Sequence, residues 1–217
     1  MADLVAGRYR IIELLGEGGM GEVYSAHDER LKRDVAIKRL HVYGVNKTQL
    51  DTFHARFERE AISMAQFIHP YIVPVYDFGS DEEGVYLVMG LMTGGSLKDR
   101  MGTIMPVKEA AKMIIPIANA LGYVHSHKIV HRDVKPHNIL FNEHDVPMIS
   151  DFGIVKLVES DGINLTSTGT GVGTPAYMAP EQMTAKIDAR ADQYSLGIIL
   201  YEMLTGRIPF EGETPVM

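Results

Sequence analysis

Short runs of apolar residues interrupted by turn residues predict β-strands in the first part of the chain. Five such segments are present: residues 9–15, 22–26, 35–38, 73–79 and 85–89. Between the third and the fourth, Leu50, Phe53, Phe57 and Ala61 recur at spacings of three and four, which predicts an amphipathic helix over residues 47–67. The pattern therefore predicts a small five-stranded sheet with one main helix.

Helical periodicity dominates the second part of the chain. Residues 107–126 carry Ile114, Ile117 and Leu121 on one face, while Pro116 predicts either a kink or a break between two helices. Residues 192–206 are apolar on nearly every face, which is typical of a helix surrounded by other helices.

Composition narrows the class of protein. A chain of 217 residues with 46% hydrophobic residues can bury a full core. Its formal net charge of −7 opposes a phosphate backbone, so nucleic acid is not predicted as a partner. It has no cysteine, which excludes disulfides and fits a reducing compartment. No basic leader and no apolar stretch approaching ~18 residues is present, so we predict no membrane segment and a cytoplasmic location.

A glycine-rich loop separates the first two predicted strands. It reads Gly-Glu-Gly-Gly-Met-Gly over residues 16–21. This spacing also occurs in dinucleotide-binding folds, and glycines mark ordinary hairpin turns, so the motif alone decides little. A dinucleotide loop opens a helix, whereas here the second strand and then Val-Ala-Ile-Lys at 35–38 follow. That order favours a hairpin whose backbone N–H groups cover phosphates.

Candidate catalytic residues are most concentrated at residues 131–138, which read His-Arg-Asp-Val-Lys-Pro-His-Asn. The string Asp-Phe-Gly follows at residues 151–153. A base, a cation and two oxygen ligands for a hard metal fall within a short stretch, as phosphoryl transfer requires. The two strings resemble the catalytic loop and the metal-binding motif of protein kinases. Lysine two places after the base is similar to the serine/threonine class. The glycine loop resembles that of the eukaryote-like (Hanks-type) bacterial kinases.

The resemblance implies a role for each residue of this stretch. Asp133 is expected to accept the proton of the substrate hydroxyl, and Lys135 to neutralise charge on the transferring phosphoryl group. Asn138 and Asp151 are expected to bind Mg²⁺, or Mn²⁺, through oxygen atoms. The expected cosubstrate is ATP, and the expected acceptors are serine and threonine hydroxyls of proteins, including those of the chain itself.

The resemblance also implies how ATP is held. Lys38 is expected to contact its phosphates and to be oriented by Glu60, with Glu58 as a nearby alternative; an isolated lysine in an apolar strand otherwise points to solvent. Gly90 stands where the family usually has an acidic residue, which predicts a looser hinge. The full set of expected ATP-binding residues is Gly16, Glu17, Gly18, Gly19, Gly21, Val23, Ala36, Lys38, Met89, Gly90, Leu91, Met92 and Leu140.

Residues 151–181 resemble the activation segment of the family. By that resemblance, Thr166 and Thr168 are expected phosphorylation sites, and Thr174 is expected to line the substrate pocket. The alternative is an ordinary loop rich in hydroxyls and glycines. A phosphate adds about −1.5 to −2 charges and could order the segment against Arg132.

The kinase resemblance implies an α+β bilobal fold with an antiparallel sheet in the small lobe. Residues 1–91 are expected to form that lobe, and residues 92–217 a mostly helical large lobe that lacks its last helices. An uncovered helical face then predicts a homo-oligomer. The alternative to an active kinase is a truncated, pseudokinase-like module that binds nucleotide without activity. A pure scaffold is disfavoured because it has no chemical need for Lys38, Asp133, Asn138 and Asp151 together.

Overall fold

The fold was analysed in a computed structural model that describes residues 4–18, 21–40, 46–152, 175–183 and 187–210. Contacts divide these residues into two compact units. The first comprises the described residues up to 68 together with 73–91, and the second comprises 69–72 together with those from 92 onward.

The first unit is built on a six-stranded antiparallel sheet with the strand order β1-β2-β3-β4-β6-β5. Its strands are β1 (Leu4–Val5), β2 (Tyr9–Gly18), β3 (Gly21–Asp28), β4 (Arg33–Leu40), β5 (Val75–Asp81) and β6 (Gly84–Gly90). The five predicted strands are confirmed, but the predicted count missed β1. That strand has only two residues, so it is too short to show an alternating pattern.

The two faces of this sheet have different composition. One face buries an apolar cluster formed by Val5, Tyr9, Ala26, Val35, Ile37, Tyr86 and Val88. Side chains alternate between faces along a strand, and the pairing of β3, β4 and β6 runs without a register shift. The opposite face therefore carries Val23, Ser25, Ala36, Lys38, Leu87 and Met89.

The predicted helix of the first unit is confirmed as α1 (Lys47–Ala65). Its N-terminus is fixed by a capping box, in which Asn46 accepts from the N–H of Gln49 and the Gln49 side chain accepts from the N–H of Asn46. Its buried side chains are Phe53, Phe57, Ala61 and Met64. The apolar stripe read from the sequence thus faces the sheet, where α1 packs mainly on β5.

A partly buried ion pair ties the first unit together. The Arg8 guanidinium donates to both carboxylate oxygens of Asp28, at 2.9 and 2.6 Å. It also donates to Asp77 at 2.9 Å, and the hydroxyl of Tyr9 donates to the same oxygen at 2.8 Å. The hydrogen bonds from Arg8 hold the pKa of the Asp28 carboxyl well below its ordinary value, although its burial acts in the opposite direction.

The second unit contains two long helices and a β-hairpin. The helices are α2 (Val107–Ser126) and α3 (Ala189–Thr205), and the hairpin pairs β7 (Ile139–Phe141) with β8 (Pro147–Ile149). Helix α2 packs on α3 and on β8. Pro116 lies inside α2, so the residues form one helix and the predicted alternative of two separate helices is wrong. No helix in the described ranges is long and apolar enough to cross a bilayer.

Candidate active site

The loop that carries Asp133 is held by a buried carboxylate from α3. Asp192, 1% exposed, accepts the backbone N–H groups of His131 at 2.8 Å and Arg132 at 2.9 Å. The Nε2 of His125 lies 2.7 Å from the same carboxylate. Burial alone would raise the pKa of Asp192, but these hydrogen bonds outweigh burial and hold it below its ordinary value. Asp192 therefore stays ionised and fixes the start of the loop.

His131 fixes the next part of the loop from inside the protein. Its side chain is fully buried and packs against Phe152, with ring centroids 4.4 Å apart. Its Nε2 lies 2.8 Å from the carbonyl oxygen of Ser150, while its Nδ1 faces the N–H of Asp133 at 3.2 Å. The carbonyl needs a donor and the N–H needs an acceptor, so the arrangement assigns the ring proton to Nε2. His131 therefore acts as a scaffold for two backbone groups.

Asp133, Lys135 and Asn138 are brought together at the end of this loop. Lys135 Nζ donates to Asp133 Oδ2 at 2.7 Å, and Asn138 Nδ2 donates to the same oxygen at 2.9 Å. Asn138 Nδ2 also donates to the carbonyl oxygen of Asp133 at 2.7 Å. Both contacts of Asn138 use its nitrogen, so its side-chain oxygen is directed elsewhere and suits a cation.

Asp151, the second expected metal ligand, is joined to Asn138 through the main chain. The N–H and the hydroxyl of Ser150 both donate to the carbonyl oxygen of Asn138, at 2.9 and 3.2 Å. Asp151 follows directly, with a left-handed backbone at φ +66°. An amide oxygen and a carboxylate are hard donors of the kind that Mg²⁺ prefers, so the donor set fits the expected cation.

A small pocket with a volume of about 10 Å³, open to solvent, lies beside Asp133 in the second unit. Its lining comes from the catalytic loop, the segment 175–183 and α3: Arg132, Asp133, Val134, Lys135, Tyr177, Met178, Gln182 and Ser195. Tyr177 is anchored by its hydroxyl, which donates to Glu202 of α3 at 2.6 Å. Burial, reinforced by this bond, raises the pKa of Tyr177.

Sequence reasoning missed Tyr177, Gln182, Glu202 and His125 as parts of this region. Each contacts a residue at least 25 positions away along the chain. No periodicity or local motif reports a contact at that separation.

In the first unit, the structure places four of the expected ATP-binding side chains on one face of the sheet. Val23 lies opposite Lys38, and Ala36 lies opposite Met89, in adjacent rows across β3, β4 and β6. All four are on the face opposite the apolar cluster. Lys38 is 8% exposed, so it is not the solvent-facing lysine of the alternative interpretation.

The glycine loop joins two antiparallel strands. Gly18 of β2 pairs with Gly21 of β3, and a further strand follows, so the alternative of a dinucleotide loop opening a helix is wrong. Gly21 has φ +131°, and a Cβ there would lie 1.9 Å from the carbonyl oxygen of Arg39. A Cβ on Gly16 or Gly18 would meet nothing within 4 Å. The structure therefore requires glycine at position 21, whereas positions 16 and 18 have room for a Cβ atom.

Glu60, on α1, is partly buried and has Arg59 Nη2 3.7 Å from its carboxylate, whereas Glu58 is exposed; pairing of Glu60 with Lys38 stays a prediction. Gly90 ends β6, is buried, and donates its N–H to Pro74 at 3.0 Å.

Glu17 is exposed on β2, Leu91 and Met92 directly follow β6, and Leu140 lies on β7. Gly19, Thr166, Thr168 and Thr174 fall outside the described residues.

A glycine-rich β-hairpin, a buried strand lysine and a loop with Asp133, Lys135 and Asn138 together define the protein-kinase class. The protein kinase domain family matches the chain over residues 9–216, and the chain belongs to that family. The α+β kinase fold predicted from the sequence is thereby confirmed.

Similar proteins are bacterial and carry serine/threonine kinase names. The chain is 42% identical to serine/threonine-protein kinase PknB of Mycolicibacterium smegmatis, over 98% of this chain and 35% of the relative. The same identity and chain coverage are found with PknB of Mycobacterium tuberculosis, of which 34% is covered. They are also found with the probable serine/threonine-protein kinase SCO3848 of Streptomyces coelicolor, of which 32% is covered. The chain thus spans about a third of the length of these relatives.

Proposed function

We propose that this chain transfers the γ-phosphate of ATP to serine and threonine hydroxyls of proteins, including its own. The observation that carries the proposal is the environment of Asp133. Its Oδ2 accepts hydrogen bonds from both Lys135 and Asn138, whereas its Oδ1 has no hydrogen-bond partner among the described residues. One oxygen is thus fixed by the protein, and the other is available to a substrate hydroxyl.

The chemistry follows from this arrangement. Asp133 orients the substrate hydroxyl and takes its proton as the oxygen attacks the γ-phosphorus; the bond to the bridging oxygen breaks and ADP leaves. Lys135, 2.7 Å from Asp133, offsets negative charge on the group in transfer. Asn138 and Asp151 would hold Mg²⁺, or Mn²⁺, and the ion would supply positive charge to the phosphate oxygens. Lys38 contacts the α- and β-phosphates and is oriented by Glu60.

Finer features of the function rest on the sequence. We propose Thr166 and Thr168 as self-phosphorylation sites and Thr174 as a residue of the substrate pocket. We also propose that the chain forms a homo-oligomer through an uncovered helical face. The strong exposure of Val107 and Ile115 on α2 supports this proposal, because exposed apolar side chains favour association. A cytoplasmic location stays a prediction. The alternative of a nucleotide-binding module without activity is disfavoured, because Asp133, Lys135 and Asn138 are assembled with one carboxylate oxygen of Asp133 left for a substrate.

The test is transfer of label from γ-³²P-ATP with Mg²⁺ by the purified chain, beside Asp133→Asn and Lys38→Met. We expect label on the unaltered chain and a loss of about 100-fold or more in Asp133→Asn. Asp51→Asn, on the exposed side of α1, is the matched control and should label normally. An unaltered chain that takes no label, while ATP still raises its melting temperature, would establish the nucleotide-binding alternative instead.

A further inference from the structure

Gln182 connects two segments that no local motif relates. It lies in the 3₁₀ turn Pro180–Met183. Its Nε2 donates to the carbonyl oxygen of Arg132 at 2.8 Å, and its Oε1 accepts the N–H of Ala179 at 3.0 Å. A carbonyl demands a donor and an N–H demands an acceptor, so the two partners fix the orientation of the amide.

One end of this bridge reaches the peptide unit that precedes the catalytic base. The Arg132–Asp133 peptide presents its carbonyl to Gln182 and its N–H to His131 Nδ1 at 3.2 Å. Arg132 has φ +70°, an uncommon conformation for a residue with a side chain. The bridge therefore sets the plane of the peptide from which Asp133 projects.

The other end reaches the wall of the pocket beside Asp133. Ala179 is buried and follows Tyr177 and Met178, which line that pocket together with Gln182 itself. The N–H of Gln182 also donates to the carbonyl of Ala179 at 2.9 Å, which closes the turn from both sides. Movement of this turn would therefore change the pocket wall and the Asp133 peptide together.

We propose that Gln182 is a positioning residue that couples the pocket wall at residues 177–179 to the peptide carrying Asp133. For its catalytic consequence, this inference rests on the proposed kinase function. Loss of the bridge lowers kcat because Asp133 loses its orientation, and it raises KM for the protein substrate because the pocket wall shifts. The KM for ATP does not change, since the side-chain hydrogen bonds of Gln182 go to Ala179 and Arg132, neither of which is an expected ATP-binding residue.

Two substitutions distinguish the effects of the two hydrogen bonds that form the bridge. Gln182→Ala removes both hydrogen bonds. Gln182→Glu keeps an oxygen for the N–H of Ala179 but places a carboxylate against the Arg132 carbonyl, where a donor is needed. Gln193→Ala replaces an exposed glutamine of α3 and serves as the matched control.

The experiment combines hydrogen exchange with steady-state kinetics, using dephosphorylated casein as the protein substrate. We expect Gln182→Ala to speed exchange in peptides covering both 131–135 and 176–180, and Gln182→Glu to speed it only in 131–135. In Gln182→Ala, kcat/KM for casein should fall about tenfold, as loss of two hydrogen bonds implies, with KM for ATP unchanged.

Each outcome decides one part of the proposal. If hydrogen exchange in Gln182→Ala is as slow as in Gln193→Ala, the proposed bridge is wrong. Faster exchange with unchanged casein kinetics overturns the positioning role. Equal changes in the KM values for ATP and casein would mean general loosening and also overturn it. An unaltered chain that phosphorylates nothing contradicts the proposed function, while hydrogen exchange still decides whether the bridge exists.

Discussion

The backbone N–H of Arg132 donates to Asp192 Oδ1 at 2.9 Å, across 60 residues of chain. Arg132 has a left-handed backbone, which for a residue with a side chain costs about 1–3 kcal/mol when imposed by the fold. The buried carboxylate offsets that strain with a charge-assisted hydrogen bond, and it binds His131 in the same way. The conformation just before Asp133 thus depends on a residue of a distant helix.

Asp192→Asn should destabilise the chain strongly. The amide has one acceptor oxygen where the carboxylate has two, so a nitrogen would face a backbone N–H at a buried position. We expect a loss of about 3 kcal/mol in the free energy of unfolding, measured by urea denaturation, and loss of label transfer. Asp188→Asn, at the exposed N-cap of the same helix, should change stability by less than about 0.5 kcal/mol because asparagine caps equally well. Equal effects of the two substitutions would contradict the role of Asp192.

The free energy of unfolding should fall on acidification, because Asp28 becomes protonated and its ion pair with Arg8 is lost. Arg8 holds the folded-state pKa of Asp28 below that of the unfolded chain, so the unfolded state binds more protons. The stabilisation that ionised Asp28 contributes is therefore complete above about pH 4 and is lost as the pH falls below that value. Urea denaturation between pH 7 and pH 3 measures it. Asp28→Asn should be less stable at pH 7 and should show a shallower decline below pH 4; parallel curves for the two proteins would refute this assignment.

Alanine substitutions in the glycine loop should separate stability from nucleotide binding. Gly21→Ala places a methyl group against the carbonyl of Arg39 at a positive φ, so we expect a loss of about 2 kcal/mol or more. Gly16→Ala meets no atom within 4 Å and should leave stability unchanged to about 0.5 kcal/mol. If the loop covers phosphates, Gly16→Ala should still weaken ATP binding, measured by titration calorimetry. A large stability loss in Gly16→Ala would contradict the structure.

Ser25→Ala should not destabilise the chain. Ser25 is 4% exposed on the face that carries Ala36 and Lys38, and its hydroxyl has no partner among the described residues. Removing an unsatisfied buried hydroxyl should leave the free energy of unfolding unchanged or raise it by up to about 1 kcal/mol. Ser150→Ala is the comparison, because its buried hydroxyl donates to Asn138 and its loss should lower stability by about 0.5–1.5 kcal/mol. The reverse order of the two variants would refute the prediction.

Local patterns predicted most of the first unit correctly. Helix α1 follows the three-and-four spacing of Phe53, Phe57 and Ala61, and all three are buried. Strand β1 was missed because two residues cannot alternate, and the β7–β8 hairpin was missed because its strands have three residues each. The helix α2 shows that tertiary packing can keep a proline inside a helix that local rules would divide.

The sequence by itself determined the family, the α+β order of elements and the residues expected to carry the chemistry, because these are encoded in short contiguous motifs. Tertiary structure decided which side chains hold that chemistry in place. Gln182 and Glu202 contact their partners across 50 and 25 residues, and such contacts arise only when packed helices and turns bring distant segments together. Motif spacing records neighbours along the chain, whereas the orientation of Asp133 depends on hydrogen bonds from groups that are neighbours only in space.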